Sequence, residues 1–381
     1  MLRLSIIDMN REKMKILSVF GTRPEAIKMC PVIKELNNRR NIESVVCLTG
    51  QHEEMLEQVM KVFNMTAKYN LHVMKKNQTL SMITTHILTQ IDQVYENEKP
   101  DMVLVHGDTS SSFAAALAAF YRQIPIGHVE AGLRTFNMKS PYPEEFNRQA
   151  VDLITDLYFA PTENAREQLI KEGKSSSKII VTGNTVIDAL KTTVSPDYDN
   201  ELLNWAKDSR LILLTAHRRE NVGKPMENIF KAVTQIVSEF EDVKVIYPVH
   251  KNPLVRSLAD KYFRGYDRIK MIEPLDVYDF HNFMAKSYLI LTDSGGVQEE
   301  APALGIPVLV MRDTTERPEG IEAGTLKLVG TKTKNIVSET ALLLNNKERY
   351  MQMSVAKNPY GDGTASIKIV NCLLSYFEKE K

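Results

Sequence analysis

Leu289-Ile290-Leu291-Thr292-Asp293-Ser294-Gly295-Gly296-Val297-Gln298-Glu299-Glu300 reads as a short buried strand, a tight polar turn and the opening of a helix. The aliphatic run before Thr292 suits a parallel strand covered on both faces. Ser294 stands at the N-cap position. Gly295 and Gly296 carry no side chain, so a ligand can approach their amides. A helix start offers N–H donors and the positive end of a dipole, which together suit an anion. Glu300 lies one turn beyond Gly296, badly placed for phosphate and well placed to accept from ribose hydroxyls. Donors for an anion followed by a carboxylate one turn on fit a nucleoside diphosphate. Taken alone, the stretch equally fits an ordinary strand-to-helix turn.

The same alternation extends in both directions. Before it lie strand 210–215, helix 225–240, strand 243–248, helix 253–263, strand 268–272, helix 276–286 and strand 288–292. After helix 297–304 come strand 307–311 and helices near 333–343, 347–355 and 364–379. Further upstream, residues from about 183 to 200 read as a polar, proline-containing linker. Ahead of that linker a first series runs through strand 15–20, helix 24–38, strand 44–49, helix 53–62, helix 79–97 and strand 101–106. It continues with helix 110–121, strand 125–129, helix 144–154, strand 156–160, helix 163–172 and strand 178–181. Alanine-rich helix 110–121 is expected to lie close against its sheet. Strands alternating with helices predict an α/β chain with two Rossmann-like, doubly wound domains and a deep interdomain cleft. The expected divisions are an N-terminal extension 1–13, a first domain 14–183, a second domain 184–362 and a closing helix 363–381. Ligands of such sheets sit beyond the carboxyl ends of the strands, and two such domains place the natural site between them.

The 381 residues suffice for two domains, and 43% hydrophobic with 25% charged residues is a globular balance. With 48 basic and 48 acidic residues the formal net charge is zero, so neither nucleic acid nor an anionic membrane is indicated as partner. Cys30, Cys47 and Cys372 have no metal or disulfide spacing and read as reduced thiols of a cytoplasmic protein. No apolar run approaches the roughly 20 residues that span a bilayer, and the N-terminus does not read as a signal peptide.

Polar clusters fall where strands end. The first series contributes Gly21-Thr22-Arg23, His106-Gly107-Asp108-Thr109, His128-Val129-Glu130 and Pro143-Glu144-Glu145-Phe146-Asn147-Arg148. The second contributes Ala216-His217-Arg218-Arg219-Glu220, Pro248-Val249-His250, Asp293–Gly296 and Arg312–Pro318. Three carboxylates (Asp108, Glu130, Glu144) come from one domain; the anion cradle and His217 come from the other. Singly, each reads as a cap or a rim salt bridge; as a set at strand ends they read as a site. No Gly-x-Gly-x-x-Gly follows a strand, so a bound nicotinamide is not expected. His128-Val129-Glu130 lacks the Pro-Cys-x-x-Cys partner of zinc deaminases, and no motif calls for a metal.

Gly21–Lys28, His106–Thr109, His128–Arg134, Ser140–Arg148, His217–Glu220 and Asp293–Glu300, all in order from Met14 to near the C-terminus, resemble the non-hydrolysing UDP-N-acetylglucosamine 2-epimerase family. The resemblance implies a GT-B type fold whose last helix crosses back to the first domain. It implies a cytoplasmic homodimer interconverting UDP-N-acetylglucosamine and UDP-N-acetylmannosamine for surface-polysaccharide precursors, without NAD or metal. The physical chemistry agrees. The sugar C2–H has no adjacent carbonyl, so it becomes acidic only if the ring is oxidised at C3 or if UDP departs from C1. The second route needs carboxylates near C1 and C2 and donors on the diphosphate.

By resemblance, Asp108, Glu130, Glu144 and His217 are catalytic. Asp108 and Glu144 would move the C2 proton, Glu130 would stabilise charge at C1 or act as a second acid/base, and His217 would support the departing phosphate. Arg23, Lys28, Ser294, Gly295, Gly296 and Arg317 would hold the diphosphate, Glu300 the ribose, and Phe280 would stand near the uracil. Without the resemblance, Lys28 reads as a solvated helix face, Phe280 as core and Arg317 as a loop salt bridge. Some members bind a second UDP-N-acetylglucosamine as activator, and Gln51, His52, Gln78 and His250 match that subsite. Glu54 and Asn77 stand where well-known members carry Gln and Arg, which lowers attraction for a diphosphate and predicts weaker or altered activation. Competing readings are a hydrolysing epimerase releasing free N-acetylmannosamine, a glycosyltransferase of the same architecture, and a catalytically silent sugar-nucleotide sensor.

Overall fold

The structure is a computed structural model that describes residues 13–51, 53–75, 77–315 and 317–380. Most of the expected N-terminal extension therefore lies outside the described residues. The chain divides into two α/β units, each with one parallel sheet between layers of helices. Unit 1 runs to Ala189 and resumes at Gly361; unit 2 is Leu190–Tyr360.

The strands of unit 1 are β1 (Met14–Phe20), β2 (Ile42–Leu48), β3 (Tyr69–Asn70), β4 (Met102–His106), β5 (Ile126–Val129), β6 (Leu157–Ala160) and β7 (Ile179–Val181). They lie in the order β3-β2-β1-β4-β5-β6-β7. The order reverses beside β1, and β1 and β4 pair in parallel from Ile16 with Met102 to Val19 with Val105. Two β-branched or aliphatic faces make β4 fully buried, as its Met-Val-Leu-Val run requires. Helix Ser110–Tyr121 packs close on the sheet because Ala114, Ala115, Ala116, Ala118 and Ala119 bring no bulk to the contact. Edge strand β3 is two residues long, too short to show a period, and is held by one carboxylate. Glu98 accepts from Tyr69 Oη at 2.5 Å and lies 2.6 Å from Lys68 Nζ and 3.0 Å from Lys15 Nζ. Those three donors hold Glu98 down to about 2 against the opposing effect of burial.

The expected linker between about 183 and 200 contains a helix, Thr185–Thr193. Val186, Ile187, Ala189 and Leu190 are buried on it, and this apolar spacing outweighs the polar composition that suggested a loop. Asp188 of the same helix accepts from the amides of Ala365 and Ser366 at 3.2 and 2.8 Å, capping helix Ala365–Glu380. That last helix packs against helix Arg23–Asn37, with Arg39 donating to Asn371 at 3.0 Å.

Unit 2 contains β8 (Arg210–Thr215), β9 (Val243–Pro248), β10 (Ile269–Ile272), β11 (Leu289–Thr292), β12 (Val308–Val310) and β13 (Leu326–Leu328). Their order is β10-β9-β8-β11-β12-β13, so the reversal falls between β8 and β11. The expected helix 297–304 begins earlier and is split into a helix at Gly295–Glu300 and a 3-10 turn at Ala301–Leu304. Pro302 has no N–H to continue an α-helical ladder. The three-residue β13 and the short helix Pro318–Glu322 are too brief to show a period.

Candidate functional site

In unit 1 the carboxyl ends of β1, β4 and β5 carry the polar loops. Gly21 directly follows β1, and a Cβ there would stand 1.9 Å from Thr49 Oγ1 and 2.4 Å from Ser111 Oγ, so only glycine lets these loops meet. Thr22 and Glu25 form the capping box of helix Arg23–Asn37. Glu25 is buried and reaches further: besides the amides of Gly21 and Thr22, it accepts from Thr109 Oγ1 at 2.7 Å and Ser112 Oγ at 2.8 Å. It thereby locks the first loop to the His106–Thr109 turn. Burial raises its carboxyl above the usual value against those donors.

Asp108 follows β4 and is clamped by helix Glu144–Ile154. Asn147 Nδ2 donates to the Asp108 carbonyl at 2.9 Å, and the Arg148 guanidinium contacts the Asp108 carboxylate. Burial raises the Asp108 carboxyl, Arg148 opposes the rise, and the charges of Glu130 and Glu144 add to it. Three carboxylates thus act on one another at one end of the sheet. Glu144 opens the helix beside Pro143, and Glu145 behind it accepts from the amides of Thr135 and Phe136 at 3.0 and 2.9 Å.

Glu130 leaves β5 with φ 68°, a left-handed conformation that non-glycine residues seldom adopt. Its amide and that of Ala131 both donate to Phe159 of β6, which holds the turn. The carboxylate contacts Lys28 Nζ, accepts from Asn184 Nδ2 at 3.1 Å and lies 3.7 Å from His106 Nε2. Burial takes His106 down to about 3, so that imidazole is neutral. Lys28, expected at a diphosphate, is paired here with Glu130. Arg23 lies partly exposed in the first turn of its helix. Beneath the loop, Asp152 is completely buried; it meets His128 Nδ1 at 2.6 Å and Arg134 at 2.8 Å and accepts from the Gly132 amide at 3.2 Å. His128 and Arg134 hold its carboxyl below the usual range despite burial.

In unit 2 the site centres on Asp293. It has no exposure and accepts from the amides of His217 and Arg218 and from Asn221 Nδ2, at 2.9, 3.0 and 3.0 Å. The loop after β8 is therefore fixed to the end of β11. His217 Nδ1 is 3.5 Å from the same carboxylate and its ring is open to solvent on one side. The His250 ring stands edge-on to His217 with centroids 5.8 Å apart. Ser294 occupies the N-cap position, but its hydroxyl makes no capping bond; its amide donates to Thr292 Oγ1 at 2.9 Å. A Cβ on Gly295 would lie 2.7 Å from Arg317 Nη1, so the bare backbone lets the guanidinium lie across the helix start. Arg317 is steadied by Glu299 at 2.7 Å. Glu300 lies above Gly296 and 3.5 Å from His281 Nε2. Phe280 packs partly buried against the sheet residues of unit 2.

Of the activator-site residues, Gln51 accepts from Ser111 Oγ at 3.1 Å. Gln78 Nε2 contacts Val73 O at 2.9 Å and His86 Nδ1 at 3.0 Å. His250 Nδ1 accepts from the Asn252 amide at 3.1 Å. His52 and the side chain of Glu54 lie outside the described residues; Asn77 adopts φ 60°. Glu25, Arg148, Asp152 and His281 were not singled out from the sequence for these roles. Only Glu25 carried a visible signal, the Thr-x-x-Glu capping pattern.

A family model described as UDP-N-acetylglucosamine 2-epimerase matches residues 34–374. The chain is 57% identical over 370 residues to UDP-N-acetylglucosamine 2-epimerase of Bacillus subtilis (strain 168), covering 97% of each chain. It superposes on a crystal structure of a UDP-N-acetylglucosamine 2-epimerase with a TM-score of 0.91 at 55% identity, covering 97% of each. A Neisseria meningitidis UDP-GlcNAc 2-epimerase solved with UDP-GlcNAc matches with a TM-score of 0.87 at 48% identity, covering 95% of this chain and all of that one.

Proposed function

The chain belongs to the UDP-N-acetylglucosamine 2-epimerase family, with two Rossmann-like units of the GT-B type, and on that premise we propose that it works by elimination of UDP and its re-addition. UDP leaves C1 of UDP-N-acetylglucosamine, the C2 proton is taken by a carboxylate, and 2-acetamidoglucal is formed. Protonation of C2 from the opposite face and return of UDP to C1 give UDP-N-acetylmannosamine. The observation that carries this reading is the carboxylate trio of unit 1. Asp108, raised by burial and by Glu130 and Glu144, is suited to accept and return a proton.

Asp108 and Glu144 are assigned to proton transfer at C2. Glu130, with Lys28 on its carboxylate, is assigned to the charge that develops at C1 or to a second acid/base role. In unit 2, Ser294, Gly295, Gly296, Arg317 and His217 are assigned to the diphosphate, and in unit 1 Arg23 and Lys28 carry the same assignment. Fixed donors aimed at the departing phosphate stabilise the charge that forms there. Glu300 accepts from the ribose and Phe280 stands by the base. The activator subsite is assigned to Gln51, His52, Gln78 and His250, with activation weakened by Glu54 and Asn77. Kinetics with UDP-N-acetylmannosamine alone test that point: an absolute need for added UDP-N-acetylglucosamine overturns it.

The proposal extends to a cytoplasmic homodimer that supplies surface-polysaccharide precursors. Family resemblance supports that extension. Among the described residues, no helix is long and apolar enough to cross a membrane. Incubation with UDP-N-acetylglucosamine in D2O, read by NMR, tests the chemistry. Deuterium at C2 of both epimers is expected. Epimerisation with the original hydrogen retained overturns elimination, and free N-acetylmannosamine accumulating at the turnover rate would move the chain to the hydrolysing branch.

A further inference from the structure

Glu300 is not left to find the ribose by itself. His281, on helix Val277–Ala285, is 1% exposed and faces Glu300 Oε2 with Nε2 at 3.5 Å. Its other nitrogen, Nδ1, is 2.6 Å from the hydroxyl of Thr193, which has no exposure at all. Thr193 is held in turn: Asn282 donates to its carbonyl at 2.8 Å and accepts from the Ser195 amide at 2.9 Å. An ionised carboxylate only accepts, so Nε2 presents its N–H towards Glu300 while the Thr193 hydroxyl is hydrogen-bonded to Nδ1. The imidazole is thus held between the hydroxyl and the carboxylate.

We propose that Thr193 and His281 are positioning residues that aim Glu300 and thereby set how strictly unit 2 demands the ribose hydroxyls of a uridine diphosphate. The proposal rests on the assignment of Glu300 to the ribose. A glutamate has three side-chain torsions and loses that freedom when it binds. Fixing Oε2 from behind removes part of the loss beforehand. It also turns Oε1 over Gly296, where a Cβ would lie 3.5 Å from it, towards the start of the helix that receives the diphosphate. The same arrangement, in which a buried neighbour orients a ligand-binding side chain, governs metal and catalytic sites.

The test is calorimetric titration of the full chain with UDP, 2′-deoxy-UDP and 3′-deoxy-UDP. The unsubstituted chain should prefer UDP to the weaker deoxy analogue by roughly tenfold or more, the cost of leaving a buried acceptor unmatched. His281→Leu and Thr193→Val should weaken UDP by about fivefold to tenfold while changing the deoxy analogues by less than about twofold, so the preference collapses. Thr193→Ser, which keeps the hydroxyl, should restore it. Equal weakening of all three ligands, or no weakening, overturns the proposal. Glu300→Ala, which removes both accepting oxygens, separates the two levels. If it keeps the preference for UDP, the ribose assignment fails and the proposal with it. If it abolishes the preference while His281→Leu and Thr193→Val do not, only the positioning role fails.

Discussion

Asp108 is under two opposing influences, and Arg148 is the one that can be removed. The guanidinium lowers a carboxyl that burial and two neighbouring carboxylates raise. Arg148→Gln therefore raises the Asp108 pKa further. Where Asp108 takes the proton as a base, the acidic limb of the pH profile of kcat/KM moves to higher pH, because a higher pH is then needed to ionise it. An unmoved limb would remove Asp108 from that role. At this scale the sequence was legible wherever a polar residue followed an apolar strand: Asp108, Glu130, His217 and Asp293 all stood out in that way. Asp152 and His281 did not. Each is one polar residue inside a helix whose period is set by its neighbours, and nothing local marks it as a buried partner of a residue far along the chain.

Helix Glu144–Ile154 shows what an element does beyond supplying Glu144. Its first turn anchors the loop at 135–136 through Glu145, its middle clamps Asp108 through Asn147 and Arg148, and its last turn carries Asp152 under His128 and Arg134. Asp152→Ala leaves a buried guanidinium without that carboxylate and should cost on the order of 3–5 kcal/mol, read by urea denaturation. Asp152→Asn keeps the shape and part of the hydrogen bonding and should cost less. Most strands and helices were legible as alternation and 3.6-residue spacing. Helices Glu201–Ala206 and Pro318–Glu322 are too short to show a period; β3, β13 and helix Thr185–Thr193 escaped for two further reasons. An edge strand of two or three residues has no period, and the helix begins in polar residues that resemble a linker while its apolar face is decided by packing.

For the molecule as a whole, the two-sheet plan was legible, while the way unit 1 is closed was not. Glu98 ties edge strand β3 to β1 and to helix Leu80–Glu98. Its folded pKa of about 2 lies below its ordinary 4.5, so the unfolded chain binds the proton more readily. Its contribution is complete above pH 4.5 and is lost as pH falls towards 2. Thermal melts should show Tm falling across that window, and Glu98→Gln should flatten the fall while lowering Tm near neutrality. An equally steep fall in the variant would place the acid sensitivity elsewhere. Unit 1 is also discontinuous in the chain: it stops at Ala189 and is completed from Gly361, whose helix lies on the helix that follows β1. On the ribosome, unit 1 is consequently begun before unit 2 and completed after it. Helix Arg23–Asn37 must wait, partly uncovered, while all of unit 2 is translated, and a product cut short before Gly361 leaves that face bare.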